Sequence, residues 1–286
     1  MLRLFKNSRN KIIEHIASSP EQFKLFANTA LWIDAHDPNE QDRAFLETFL
    51  RADLPESQDV EEIESSARYF TDDIGTHVRS LFLSYSEGRH NNVSVAFILQ
   101  KERLITLREG NVADFRLLRM RAKHGHIKAE SAANLMMVIL EQKVENLADA
   151  IEDIHRKLED VSYQVLEVIG SDLEDAIDRL AKLEDSNGKI RLCLMDTIRS
   201  ISFLQKHLKQ HADIQEIARE ILRDVDSLMS HTTFLFDKIN FLMDSTQGFI
   251  NIEQNKIIKI FSIAAVRNEA NPDSLRYRCS SVAVPS

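Results

Sequence analysis

Apolar residues recur every three or four positions through the middle of the chain. One set follows alternating steps of four and three: Leu140, Val144, Leu147, Ile151, Ile154, Leu158, Val161 and Val165. This spacing predicts a long helix whose apolar seam must be buried against another helix. A second stripe predicts the next helix: Ile190, Leu194, Ile198, Ile201, Leu204 and Leu208. Gly188, in the polar run that starts at Asp185, is the predicted turn between the two helices.

The pattern predicts a third helix that begins near Asp213, a suitable N-cap, and continues to Val266. At 1.5 Å per residue such a helix would be about 80 Å long, which indicates a stalk rather than a compact domain. The last segment, from Arg267 to Ser286, has no helical period and contains Pro272 and Pro285. We therefore expect this segment to be a disordered tail.

The first part of the chain has a different pattern, in which short β-rich runs alternate with helical signals. Predicted strands lie at 31–33, 68–71, 77–85, 93–99 and 104–107, and the short 100–103 connection predicts an antiparallel hairpin. Asp37 as N-cap, Pro38 and Glu40 predict a helix that runs to Leu50. The fold class is therefore α+β. Four segments are predicted: an α/β domain (1–125), an acidic helical hairpin (126–212), a stalk helix (213–266) and a tail (267–286).

Charge, motifs and cysteine content each argue against a class of function. The chain has a formal net charge of −9, and residues 129–185 alone contain 15 acidic and five basic side chains. Because phosphate binding needs clustered Lys and Arg, nucleic acid is not an expected partner. Neither a glycine-rich phosphate loop nor a nucleophile-elbow spacing occurs, so we expect no enzyme activity. Two cysteines and the lack of a signal-peptide pattern indicate a reducing, cytosolic compartment.

Three other groups of polar residues are candidate catalytic or metal-binding sites. Asp72 and Asp73 are adjacent carboxylates, but a turn-forming role is the simpler interpretation. The pair His124 and His126 could bind a transition metal. So could His207 and His211, one helical turn apart, although neighbouring lysines would repel a cation.

One face of the predicted third helix carries an ordered series of side chains. Asp244 and Asn255 are 11 residues apart, close to three turns, and Ile258 and Phe261 follow along the same stripe. In a symmetric ring of helices they would form stacked carboxylate, carboxamide and apolar rings, which is how channels select and gate cations. The apolar run from Ile257 to Val266 is too short to cross a bilayer.

Long stretches of the sequence resemble the CorA family of magnesium channels. The resemblance rests on GFINIEQN (248–255) and IIKIF (257–261), and on RLCLMDT (191–197), EILRD (220–224), NFLM (240–243) and WID (32–34). It covers roughly residues 30–266. The family's Gly-Met-Asn signature, two membrane spans and basic C-terminus are not in this sequence. We therefore expect that this chain cannot conduct ions by itself.

The resemblance implies the cytoplasmic sensing and gating region of a homopentameric Mg²⁺ channel in the bacterial inner membrane, anchored by C-terminal spans that this chain lacks. Co²⁺ and Ni²⁺ would be secondary ions. Asp224 resembles the stalk aspartate that binds regulatory Mg²⁺ between subunits, and Glu87 is the candidate second ligand. Asp244, Asn255, Ile258 and Phe261 would line the pore.

Two other functions remain open from the sequence. One is a pore-less protein that assembles in response to cations. The other is a zinc transporter of the same superfamily, in which His207 or His211 would contribute to Zn²⁺ binding.

Overall fold

The computed structural model describes residues 1–8, 11–16, 19–52, 54, 68–127, 129–168 and 172–269. Seven strands and six helices are described in these ranges. The strands are β1 (Leu2–Ser8), β2 (Lys11–Ile16), β3 (Trp32–His36), β4 (Tyr69–Thr71), β5 (Thr76–Ser86), β6 (Arg89–Leu99) and β7 (Leu104–Arg108). The helices are α1 (Pro20–Ala27), α2 (Glu40–Leu50), α3 (Ala113–Lys123), α4 (Ala132–Glu167), α5 (Leu173–His207) and α6 (Ala212–Glu269). This mixture confirms the predicted α+β class.

The strands form one sheet in the order β2-β1-β3-β7-β6-β5-β4. Only the β3–β7 pair is parallel, and the predicted β6–β7 hairpin is confirmed. Strands β1 and β2 were not predicted. They form an antiparallel pair at one edge of the sheet, with Phe5 stacked on Trp32 of β3.

Contacts divide the chain into two compact units. The first contains Met1–Lys157 and Lys182–Phe236, and the second contains Leu158–Ala181 and Asp237–Ser286. In the first unit, α1 and α2 bury apolar side chains against one face of the sheet. Helices α3, α4 and α5 contact the other face through side chains such as Phe115, Lys143 and Asp196. The predicted division into four segments stays a prediction.

The long helices follow the predicted periodicity. All eight seam residues of α4 are buried, from Leu140 to Val165. Helix α6 begins at Ala212, close to the predicted start at Asp213, and extends to Glu269, three residues beyond the predicted end. Of the predicted disordered tail, residues 267–269 are therefore helical, and residues 270–286 lie outside the described part. No helix in the described ranges is long and apolar enough to span a bilayer.

The predicted turn at Gly188 is wrong. Gly188 lies inside α5 and does not have a positive φ, so the helix continues through it. The break between the two long helices falls between Glu167 and Leu173. There the Asp172 carboxylate accepts the backbone N–H groups of Glu174 and Asp175, which is the cap that starts α5.

The predicted N-cap of α2 is also two residues early. Asn39 is the N-cap, and it forms a reciprocal capping box with Asp42. Asp37 instead has a positive φ of 42° and accepts the backbone N–H of Gly110, so it links the ends of β3 and β7. The contact with Gly110, just after β7, holds Asp37 outside the helix.

A buried carboxylate joins the sheet to the long helices. Asp196 of α5 accepts hydrogen bonds from Ser80 Oγ at 2.6 Å and from the Leu81 backbone N–H at 2.7 Å, both on β5. Lys143 Nζ of α4 and Arg68 lie at 3.4 and 3.0 Å from its oxygens. One side chain thus connects β5, α4 and α5 with the segment that leads into β4.

We predict that Asp196→Ala lowers the free energy of unfolding by about 3–5 kcal/mol, because Lys143 would then be buried without its carboxylate. The measurement is urea unfolding followed by circular dichroism. Asp153→Ala is the matched control, since Asp153 is a more exposed helical aspartate that pairs with Arg156 and Lys157. The control should cost less than about 1 kcal/mol. Equal losses for the two variants would contradict a special role for Asp196.

Candidate functional site

Asp224 lies on an exposed face of α6, in the first unit, and belongs to a group of carboxylates that we call the acidic cluster. The cluster consists of Glu141 and Glu145 on α4, and of Glu220 and Asp224 on α6. Glu220 and Asp224 are one helical turn apart, so both face the same side of α6. Because the apolar seam of α4 is buried, Glu141 and Glu145 lie on an exposed side of that helix.

The electrostatics of the cluster are visible at Glu141. Burial raises the pKa of its carboxyl, and the negative charges of Glu145, Glu220 and Asp224 raise it further. Arg121 acts in the opposite direction and forms an ion pair with Glu145 at 3.3 Å. The cluster therefore has more negative than positive charge, and its repulsion would be relieved by a cation.

Carboxylate oxygens are the ligands that Mg²⁺ prefers, and Mg²⁺ keeps several of its waters. Across the described ranges, no three His, Cys, Asp or Glu side chains converge closely enough to hold a metal ion directly. The sequence pointed to Asp224 but not to Glu141 or Glu220, although the acidic stretch 129–185 contains Glu141. A role for Asp224 in ion binding stays a prediction.

Glu87 is not beside Asp224 within one chain. It lies in the two-residue β5–β6 turn, with φ of 53°, followed by Gly88 at 78°. Three residues on, burial lowers the pKa of His90, Lys157 on α4 lowers it further, and Asp153 on the same helix raises it. Asp153 is 12 residues from Glu141, or about 18 Å along the helix. Glu87 and Asp224 could therefore share an ion only if they came from different subunits.

The four predicted pore-lining residues lie on the part of α6 that belongs to the second unit. Asp244, Asn255, Ile258 and Phe261 are all exposed, and Phe261 reaches 71%. At 100° per residue they occupy an arc of about 120° on the helix. Burial on α6 ends near Thr246, and every side chain from Asn251 to Val266 is exposed. This end of α6 has no packing partner within the described chain.

Exposed apolar side chains surround this end of the helix on all sides. Besides Ile258 and Phe261, they include Ile252, Ile257, Ile260, Ile263 and Val266. An amphipathic surface helix would show one apolar stripe, whereas apolar residues all round a helix indicate burial by protein or lipid. The geometry thus leaves a surface that other chains or lipid would cover.

The remaining sequence candidates are structural in this geometry. Asp72 Oδ1 accepts the backbone N–H groups of Ile74 and Gly75 and contacts His77 Nε2 at 3.0 Å, which confirms the turn-forming interpretation. His124 and His207 each place Nδ1 near the backbone carbonyl one helical turn earlier. No described third ligand joins either histidine pair.

Comparisons with known proteins agree with the motifs. The family model described as "CorA-like Mg2+ transporter protein" matches residues 27–266. "Magnesium transport protein CorA" of Escherichia coli (strain K12) is 44% identical over 239 residues, which cover 83% of this chain and 76% of that protein.

Two solved structures share the fold at low sequence identity. The soluble domain of CorA from Methanocaldococcus jannaschii has a TM-score of 0.72 at 15% identity, covering 87% of this chain and 97% of that one. The ZntB cytoplasmic domain from Vibrio parahaemolyticus has a TM-score of 0.62 at 13% identity, with the same coverages. The family model and the 44% identity show that this chain belongs to the CorA-like Mg²⁺ transporter family.

Proposed function

We propose that this chain is the cytoplasmic sensing and gating region of a magnesium channel in the bacterial inner membrane. The carrying observation is the unpartnered apolar end of α6, in a chain 44% identical to a magnesium transport protein. A stalk helix that leads from a folded domain toward a pore would have this character. Conduction would require membrane spans in addition to the described helices.

Self-assembly, as a homopentamer, is the second part of the proposal. Phe234 and Phe236 in the first unit and Phe241 in the second are large, exposed aromatic side chains on α6. Next to Phe234, a groove of about 620 Å³ between α4 and α6 is lined by apolar Ile151 and Leu235 and by five polar side chains. Exposed aromatic side chains beside such a groove support an interaction surface on α6.

Mg²⁺ sensing is assigned to the acidic cluster. In an assembled ring, Asp224 and its neighbours would face carboxylates of an adjacent subunit, such as Glu87 on its turn. Apposed carboxylates repel, so a divalent cation would stabilise the closed arrangement, and its loss would loosen the ring. The raised pKa of Glu141 supports this assignment, because the charges of Glu145, Glu220 and Asp224 add to the effect of burial there.

Pore lining is assigned to the exposed arc on α6. Asp244 and Asn255 would form polar rings that contact hydrated Mg²⁺ through water, and Ile258 and Phe261 would form an apolar constriction. Co²⁺ and Ni²⁺ are proposed as secondary ions, since they are divalent and of similar size.

A zinc transporter is the runner-up. The fold is shared with a ZntB domain, but at 13% identity that likeness reports the fold alone. The 44% identity to magnesium transport proteins favours Mg²⁺. His207 gives Zn²⁺ little support, because its ring packs on Phe203 with centroids 4.2 Å apart. The second alternative, a pore-less assembly protein, shares the cation-dependent step and differs only in lacking conduction.

Asp224→Ala is predicted to raise the Mg²⁺ concentration needed for protection against proteolysis by about tenfold, or about 1.4 kcal/mol of coupling. The assay is limited trypsin digestion of the full chain across a millimolar Mg²⁺ titration, with oligomeric state followed by sedimentation. Asp226→Ala is the matched control, since Asp226 is also exposed but lies about 160° away around the helix. Protection that is unchanged in Asp224→Ala, or equally weakened in both variants, would contradict the assignment.

Asn255→Cys is predicted to cross-link between chains several times faster than Glu253→Cys in the Mg²⁺-assembled state, because Asn255 faces the ring axis and Glu253 faces away. Both variants carry Cys279→Ser, and buried Cys193 is retained. Disulfide formation is followed on non-reducing gels after mild oxidation. Equal rates, or a faster rate at Glu253, would overturn the pore-lining arc.

A further inference from the structure

Asp114 is a carboxylic acid buried in the core of the first unit without a cation of its own. It lies in the first turn of α3, and only 2% of its surface is exposed. Its Oδ2 atom accepts a long hydrogen bond of 3.3 Å from Asn146 Nδ2 on α4. Its Oδ1 atom is buried and has no hydrogen-bond partner. A carboxylate in this position would be poorly compensated.

The charged group that acts on Asp114 is Lys143, which is already committed elsewhere. Lys143 Nζ donates to Ser80 Oγ at 2.9 Å, lies 3.4 Å from Asp196 Oδ2 and sits over the Phe82 ring. Two buried carboxyl groups thus compete for one buried ammonium ion, which contacts Asp196 and its partner Ser80.

The other groups near Asp114 do not supply a positive charge. Asn146 on α4 is neutral, and on α5 the Cys193 thiol is neutral because burial raises its pKa to about 12. On α3 itself, Arg116 is exposed to solvent. Burial raises the pKa of Asp114 to about 7, although its own backbone N–H, Lys143 and Asn146 each lower it.

We propose that Asp114 is a proton switch at the contact between α3 and α4. As a neutral acid it lets the first turn of α3 pack beside Asn146, and loss of the proton leaves an uncompensated carboxylate that loosens this contact. The switch does not depend on the proposed transport function. Asp114 is also connected to the acidic cluster, because its hydrogen-bond partner Asn146 directly follows Glu145 on α4.

The sign of the pH dependence follows from the raised pKa. An unfolded aspartate loses its proton near pH 3.9, whereas folded Asp114 holds it to about 7. The stabilisation is therefore complete below about pH 4, falls as pH rises toward about 7 and is absent above that. Over this window each pH unit should raise the unfolding equilibrium constant about tenfold relative to a chain without the group.

The test is urea unfolding of the full 286-residue chain between about pH 5 and pH 9, compared with Asp114→Asn. We expect the unfolding constant of the wild-type chain to rise about tenfold per pH unit relative to the variant up to about pH 7, and in parallel above it. Histidine contributions cancel, since both chains contain the same histidines. Asp213→Asn is the control, because an Asn134 hydrogen bond lowers the pKa of that exposed aspartate and removes it from the window.

A second measurement covers the case in which Asp114→Asn does not fold. In the wild-type chain labelled with ¹³C at the aspartate carboxyl groups, we expect an aspartate resonance that titrates near neutral pH. A pH dependence in Asp114→Asn that equals the wild-type dependence would overturn the proposal. So would a labelled chain in which no aspartate titrates near neutral pH.

Discussion

The buried carboxylate of Asp196 is the interaction on which the first unit depends. Its two oxygens are shared among the β5 backbone, Ser80, Tyr69, Arg68 and Lys143, so one residue of α5 contacts β4, β5 and α4. The hydrogen bonds and ion pairs of Asp196 are strongly directional. They set the rotation of the long helices against the sheet, which hydrophobic packing alone would not. Burial and the Asp196 charge raise the pKa of Tyr69 to about 12, so this hydroxyl keeps its proton at neutral pH.

A rigid connection between sheet and helices has consequences for the acidic cluster. Helix α4 carries Lys143 on its buried side and Glu141 and Glu145 beside the α6 carboxylates, so the same helix is anchored by one charge and exposes others. Under the proposed function, ion-dependent movement would therefore act on whole helices rather than on single loops.

The two ends of α6 differ in what surrounds them. In the first unit its apolar positions, including Ile221 and Val225, are buried by the same chain. In the second unit burial stops near Thr246, and the helix continues with exposed isoleucines and phenylalanines. Regular backbone hydrogen bonds allow a helix to extend past its packing partners. The described part of the chain leaves these apolar side chains uncovered.

Local periodicity in the sequence determined most of the helical architecture. The seam from Leu140 to Val165, the start of α6 near Asp213 and the β6–β7 hairpin were predictable, because helix and strand periods are properties of neighbouring residues. The family was evident from literal motifs such as GFINIEQN, and one residue in those motifs, Asp196, turned out to be the central buried anion.

Only the tertiary structure decided which polar residues acquire special chemistry. Asp114, Glu141 and Asp196 are ordinary acidic residues in the sequence, and their behaviour depends on burial and on groups far away along the chain, such as Asn146, Glu220 and Ser80 respectively. The failed predictions at Gly188 and Asp37 have the same origin, since a glycine or a capping residue is locally compatible with several structures. Pairing over such distances leaves no periodic signal, so the sequence alone determined the elements, while three-dimensional contact determined the charges they bring together.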